Sequence, residues 1–260
     1  MPFYIEGNKF TARFHDGSTA AKAAPSLQHL AELGIRNNGF YWINPQDSFS
    51  PIYLYVDMNY RRNEAWALVC SNRTATDGLN NGLVTSDGTG GSSQGSVTYT
   101  NGVNNINYKG SYGNTNLDFN CLVGVKYWKQ LGRNVVQFVS TSARTLSDTG
   151  NHTKRYRWGF RDMSSTYAFQ NVYAIKDEGG GAPGLYAYHA ANGFSFSTYD
   201  NDQDPYGGNC SAAYSNNPWW YGSCWDGSWF GGGGYADRPN WAGAGTDLHN
   251  YGGIYIGGYI

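Results

Sequence analysis

Residues 196–210 read FSTYDNDQDPYGGNC, so Asp200, Asp202 and Asp204 fall at alternate positions just before two glycines and a cysteine. Only 14% of the chain is charged, which makes three carboxylates within five residues a feature to explain. Two chemistries fit. Aspartates commonly close turns by accepting hydrogen bonds from the backbone, which would leave a solvated acidic loop. Carboxylates spaced two apart also direct oxygens toward a common centre, and following glycines let carbonyls complete the shell of a hard cation such as calcium. An EF-hand is excluded: its sixth and twelfth positions, glycine and glutamate, would here be Pro205 and Ser211.

The remaining reactive groups do not assemble into a catalytic pattern. Glycoside hydrolysis needs two carboxylates across a cleft, and Asp177–Glu178, read in a glycine loop, and Asp226, beside Trp225, show no partnered context. His15, His29, His152, His189 and His249 lack a serine or cysteine in a nucleophile's setting. The reading is therefore non-enzymatic. Cys70, Cys121, Cys210 and Cys224 do not have the spacing of a zinc site, so structural pairing is expected in preference to metal chemistry.

These residues need a scaffold, and 260 residues suffice for one large domain or two small ones, with one compact unit preferred. Lys plus Arg number 18 against 19 Asp plus Glu, which gives no electrostatic reason to expect nucleic acid or an anionic membrane surface as a partner. No apolar run approaches a membrane span. The 36 Gly, 22 Tyr and 9 Trp instead describe a chain of rigid amphipathic rings, which pack and also bind sugars. Glu6 and Lys9 interrupt the stretch a secretory signal would occupy, so export by another route, or a signal upstream of Met1, is expected for an extracellular role.

Residues 1–24 read as an arm, with a small hairpin turning at Asp16–Gly17, and 25–260 as the main domain. Pro25, Ser26, Leu27, Leu30, Leu33 and Gly34 predict a short amphipathic helix ending on a left-handed glycine. GFYWI (39–43) and IYLYVDM (52–58) predict paired strands, and AWALVC (65–70), GVKYW (124–128) and NVVQFVS (134–140) further strands. The Gly, Asn, Ser and Thr-rich stretch 76–116 has the composition of surface loops, and 194–260 shows little helical signal.

Following the acidic turn, the order FSTYDNDQD, YGGNC, WWYGSC, a glycine run, YAD and NW resembles the carboxy-terminal half of a fibrinogen-like domain, the module of fibrinogen, ficolins and tachylectins. SLQHLAELG, GFYWINP, IYLYVDM and AWALV resemble its opening helix and first strands; the middle departs from it. The resemblance implies an α+β fold: a short amino-terminal helix, a central, mostly antiparallel twisted sheet, and a loop-rich calcium- and ligand-binding subdomain at 194–260. It implies Ca2+ held by Asp202, Asp204 and the carbonyls of Tyr206 and Gly208, with Asp200 supporting the loop, and a disulfide from Cys210 to Cys224. It further implies a cis peptide at Ser223–Cys224, whose amides face an acetyl group held in a cup of Tyr214, Tyr235 and Ala236, with Tyr251 as a further ring. Trp225 stands where the family usually has histidine. The family's first disulfide is missing, since its cysteines fall near Ser26 and at Val56, which leaves Cys70 and Cys121 either bridged to each other or as buried thiols, the latter slightly favoured.

The function these expectations describe is a calcium-dependent lectin-like module for acetylated glycans on a cell surface. The lead-in GSTAAKAAPS and the polar excursion are closer in style to a phage or bacterial surface fibre than to an animal lectin, which suggests a virion-borne host-attachment protein. The alternatives are a structural or decoration protein contacting other virion proteins or copies of itself, and a secreted lectin.

Overall fold

The computed structural model describes residues 3–6, 9–13, 19–44, 51–60, 64–73, 107–110, 119–131, 135–141, 154–178, 193–213, 219–224, 227–228, 240–241 and 251–258. An amino-terminal sheet of β1 (Phe3–Glu6), β2 (Lys9–Arg13) and β3 (Thr19–Lys22) is antiparallel throughout, so the lead-in carries one strand more than the expected hairpin. Helix α1 (Leu27–Glu32) follows. Its Ser26 hydroxyl accepts the His29 N–H at 3.1 Å, and Gly34 at φ 76° lets the chain leave, as the sequence predicts. Leu27, Leu30 and Ala31 are its buried face.

The body of the fold is a nine-stranded sheet. In chain order its strands are β4 (Gly39–Ile43), β5 (Ile52–Asp57), β6 (Ala65–Arg73), β7 (Asn107–Gly110), β8 (Phe119–Leu122), β9 (Val135–Thr141), β10 (Lys154–Gly159), β13 (Tyr173–Glu178) and β16 (Tyr251–Gly258). Two-residue strands β11 (Asp162–Met163) and β12 (Phe169–Gln170) pair separately, as do β14 (Gly227–Ser228) and β15 (Asn240–Trp241). The main path is β13-β10-β9-β16-β6-β5-β4, with β8 joining β6 and β7 joining β8, and every pairing within it is antiparallel. Thus β16 sits in the middle, hydrogen-bonded to β6 on one side and β9 on the other.

Three expectations need correction. GVKYW is not a strand: Val125–Tyr127 and Lys129–Leu131 form successive 3-10 turns. Val125, Trp128 and Leu131, three apart, are buried, and a three-residue turn puts that spacing on one face. The Trp128 indole N–H also donates to the Val123 carbonyl at 2.9 Å, which fixes the turn. The polar excursion contains β7, which pairs with β8 from Asn107↔Leu122 to Gly110↔Phe119. Asp177 and Glu178 close β13 and do not stand in a glycine loop.

Both sheet faces are covered. One packs against α1, Trp128, Phe196 and the Trp219–Trp220–Tyr221 run. The other buries Phe40, Tyr55, Trp66, Leu68, Val135, Val139 and Tyr255. Gly257 lets β16 lie close against β6: a Cβ there would strike the Ala65 carbonyl oxygen and crowd Trp66. Gly257→Ala should therefore force β16 away from β6 and cost about 1–3 kcal/mol in urea unfolding, as overpacked core sites do. An unchanged midpoint would show that the two strands can separate freely at that point.

The register also settles the two remaining cysteines. Ser71 lies opposite Cys121 and Cys70 opposite Leu122, so the two thiols start from opposite faces of the sheet. Each belongs to a different core, and both are free and buried. Burial pushes the Cys70 thiol well above its ordinary value and that of Cys121 up to about 12. Thiols held in that state are poor nucleophiles. A maleimide should label neither in the native protein and both after unfolding, while non-reducing peptide mapping should return one bridge.

Candidate functional site

The acidic turn hangs from the core at both ends. Phe196, Ser197 and Thr198 are buried at its entry, Cys210 and Ser211 at its exit, and the tip from Asn201 to Gln203 is exposed. Ser197 exchanges two backbone hydrogen bonds with Trp219, at 2.9 and 3.0 Å, which aligns the turn with the 219–224 segment. The Ser197 hydroxyl accepts the Gln203 N–H at 3.0 Å, and the Asn209 amide donates to the Tyr199 carbonyl at 3.0 Å. The loop is thus tied across its neck from both sides.

The three aspartates have separate tasks. Asp200 accepts the Thr198 hydroxyl at 2.6 Å, a supporting contact at the base of the loop. Asp202 accepts the Asp204 N–H at 3.2 Å, which draws the two residues together. Asp204 reaches furthest, accepting the Tyr206 N–H at 3.0 Å through one oxygen and the Cys210 N–H at 3.0 Å through the other. Burial raises the Asp204 carboxyl above its ordinary value and the nearby Asp202 carboxylate adds to this, against the pull of those two N–H donors. Asp204 thereby links the exposed tip to α2 (Cys210–Ala213), whose Ala212 N–H is capped by the Asn209 side chain at 2.8 Å.

Two neighbouring carboxylates with no lysine or arginine paired to them among the described residues form an oxygen-rich centre that a hard cation would neutralise. No group of three or more His, Cys, Asp or Glu side chains gathers among those residues, so the rest of any such shell must come from carbonyls and water. The carbonyls of Tyr206 and Gly208 lie on the exposed continuation of the same turn. The residue set fits calcium.

The ligand-pocket expectations divide. Cys210 and Cys224 are bonded, with Cα atoms 5.0 Å apart, so the loop between them closes directly behind the acidic turn. The described peptide bonds include no cis bond, so the expectation at Ser223–Cys224 is overturned. The chain bends there through Cys224 itself, at φ 69°, a left-handed conformation that turns the backbone without isomerising the peptide. Ser223 is exposed and Cys224 half-buried. Tyr214, Trp225, Tyr235 and Ala236 lie outside the described residues, and Tyr251 opens β16.

What fixes this segment is a ring cluster that sequence reading left out. Trp220 contacts Phe196 at 4.8 Å between centroids, Phe169 at 5.1 Å, Trp128 at 5.4 Å and Trp219 at 5.5 Å. Its indole N–H donates to the Tyr167 carbonyl at 3.0 Å. Tyr167, a bulky residue at φ 60°, is held in a sparsely populated conformation next to that bond. The WW pair in WWYGSC was the available signal, since adjacent tryptophans in a glycine-rich region require a buried seat.

The sheet order, the loop-rich segment behind it and the disulfide together define a fibrinogen-like globe fold. Solved structures with the same fold include the fibrinogen-like globe domain of human ANGPTL2, at 17% identity and TM-score 0.56, covering 88% of this chain and 96% of that one. That of human ANGPTL6 matches at 18% identity and TM-score 0.56, covering 90% and 96%. Lamprey fibrin D-dimer, solved with the peptide ligand Gly-His-Arg-Pro-amide, matches at 15% identity and TM-score 0.59, covering 90% and 74%. Among curated proteins, Fibrinogen-like protein A of Apostichopus parvimensis is 32% identical over 127 residues, which span 45% of this chain and 39% of the relative. No protein-family model matches the chain.

Proposed function

We propose that this chain is a non-enzymatic, calcium-dependent ligand-binding module that recognises acetylated glycans at an extracellular surface. The observation that carries the reading is the Asp204 carboxylate, which joins the exposed acidic tip to the first residue of the 210–224 disulfide loop. Asp202, Asp204 and the Tyr206 and Gly208 carbonyls would hold calcium, which supplies charge neutralisation at the tip and thereby stiffens the loop behind it. The pocket would use the backbone amides around Ser223–Cys224 for the acetyl oxygen and the rings of Tyr214, Trp225 and Tyr235, with Ala236, for its methyl group. An aromatic wall with a few fixed donors is the form small-ligand sites take. That a structural neighbour was solved with a bound tetrapeptide supports ligand capture by this fold. Carried on a virion, such a module would serve as a host-attachment protein; a decoration role would keep the fold and dispense with the pocket.

A glycan array probed with and without calcium tests the reading. N-acetylated glycans should bind in calcium and lose at least tenfold in affinity in chelator or in Tyr235→Ala, with calcium binding by that variant unchanged. An array blank under every condition would overturn glycan recognition and favour the decoration role.

A further inference from the structure

Edge strand β4 presents an aromatic platform remote in sequence from the acidic turn. Trp42 is 46% exposed, although Phe40, Tyr41 and Ile43 on the same strand are buried. Its ring is stacked on that of Tyr53, directly opposite on β5, with centroids 5.2 Å apart and planes tilted by 35°. Tyr53 stacks in turn on Phe40 at 5.1 Å and 33°, and Phe40 is buried. The exposed indole is therefore the outer member of a ladder of rings rooted in the core. Its backbone is held as well: the Trp42 carbonyl accepts the Ala24 N–H, and the Asn44 N–H donates to the Ala24 carbonyl, both at 2.7 Å. Asn44, two residues on, shares the Trp42 face of the strand and is exposed.

We infer that Trp42, backed by Tyr53 and flanked by Asn44, is a carbohydrate-binding platform that stacks a pyranose ring. The size of the patch decides the occupant. A stable protein partner, or a second copy of this chain, must cover on the order of 1,000 Å² in total, whereas among the described residues the exposed aromatic surface here is one indole beside a half-buried phenol, the footprint of a single sugar ring. The ring is immobilised before binding, so capture costs little side-chain entropy. An amide next to an aromatic face gives the donor and acceptor that neighbouring hydroxyl groups require. The inference extends the glycan reading to a surface that uses neither calcium nor the 210–224 loop, and it stands if that site fails.

The test is a titration of the ¹⁵N-labelled protein with cellopentaose and with chitopentaose, in calcium and in EDTA. The Trp42 indole resonance, identified by its loss in Trp42→Phe, and that of Asn44 should shift saturably in both buffers. Trp42→Ala should weaken binding at least tenfold and Trp42→Phe much less, with both variants folded and the Trp42→Ala thermal midpoint lowered by no more than a few degrees, the cost of one cross-strand ring pair. Still Trp42 resonances, or equal binding by Trp42→Ala, would overturn the platform. Binding lost in Tyr235→Ala or EDTA but kept in Trp42→Ala would leave the calcium-dependent pocket and remove the platform; the opposite pattern would retain the platform and remove the pocket.

Discussion

Trp220→Ala is expected to be the most damaging single substitution among the described residues, at about 3–5 kcal/mol. The ring is fully buried and touches Phe196, Phe169, Trp128 and Trp219, so its removal leaves a cavity bounded by rigid rings that cannot collapse inward. A loss of that size is a large share of the roughly 5–15 kcal/mol that holds a domain together. Trp220→Phe separates the contributions in part, since it keeps one aromatic ring in the seat while losing some of the packing and the N–H bond to the Tyr167 carbonyl. Urea unfolding should show a loss of about 1–3 kcal/mol for that variant, the cost of an abandoned buried acceptor. If Trp220→Ala unfolded at the native midpoint, the cluster would not be what positions the 219–224 segment.

The second large effect concerns the acidic turn. Asp202→Asn with Asp204→Asn should abolish calcium binding in calorimetry and remove the stabilisation calcium confers, about 2.7 kcal/mol when the free ion is at a hundred times its dissociation constant. Terbium offers an independent readout, because the exposed Tyr206 ring beside the turn should sensitise its luminescence in the native protein and not in the double variant. The pH dependence has a definite sign. With the Asp204 carboxyl raised in the folded state, the metal-free turn is most stable below the ordinary carboxylate value and loses that contribution as pH rises through the folded one. Calcium bound there would displace the same proton, so its affinity should strengthen as pH rises through the folded Asp204 value. Unaltered calcium binding by the double variant would place the ion elsewhere.

Local physics made part of this molecule readable. Helix α1 announces itself through Ser26, its leucine spacing and Gly34, all short-range signals. The β4–β5 pair follows from two aromatic, β-branched runs close in sequence, and FSTYDNDQD carries its turn chemistry in adjacent residues. The misses are the places where distant packing decides. GVKYW has strand-forming residues, yet the Trp128 bond to Val123 and a three-residue burial period wind it into turns. YGGIYIGG is half glycine, a composition that weakens a strand on its own, and it becomes β16 only because β6 and β9 both hydrogen-bond it. Strands β10 and β13 gave no reading for a related reason: charged residues such as Arg155, Arg157 and Lys176 interrupt the apolar alternation.

The position of β16 governs when this protein can fold. Strands from residues 39–122 form one half of the main sheet and those from 135–178 the other, and each half ends in an open edge, β6 or β9, that residues 251–258 close. On a ribosome both halves emerge long before the strand that joins them. During that interval two unpaired edges, one of them nine residues long, are exposed to other nascent chains. The pairing that closes them spans most of the chain, so the loop-closure entropy is lost late and the final step is slow. Yield of this protein from cells should therefore depend on elongation rate and chaperone supply more than on the stability of the finished fold.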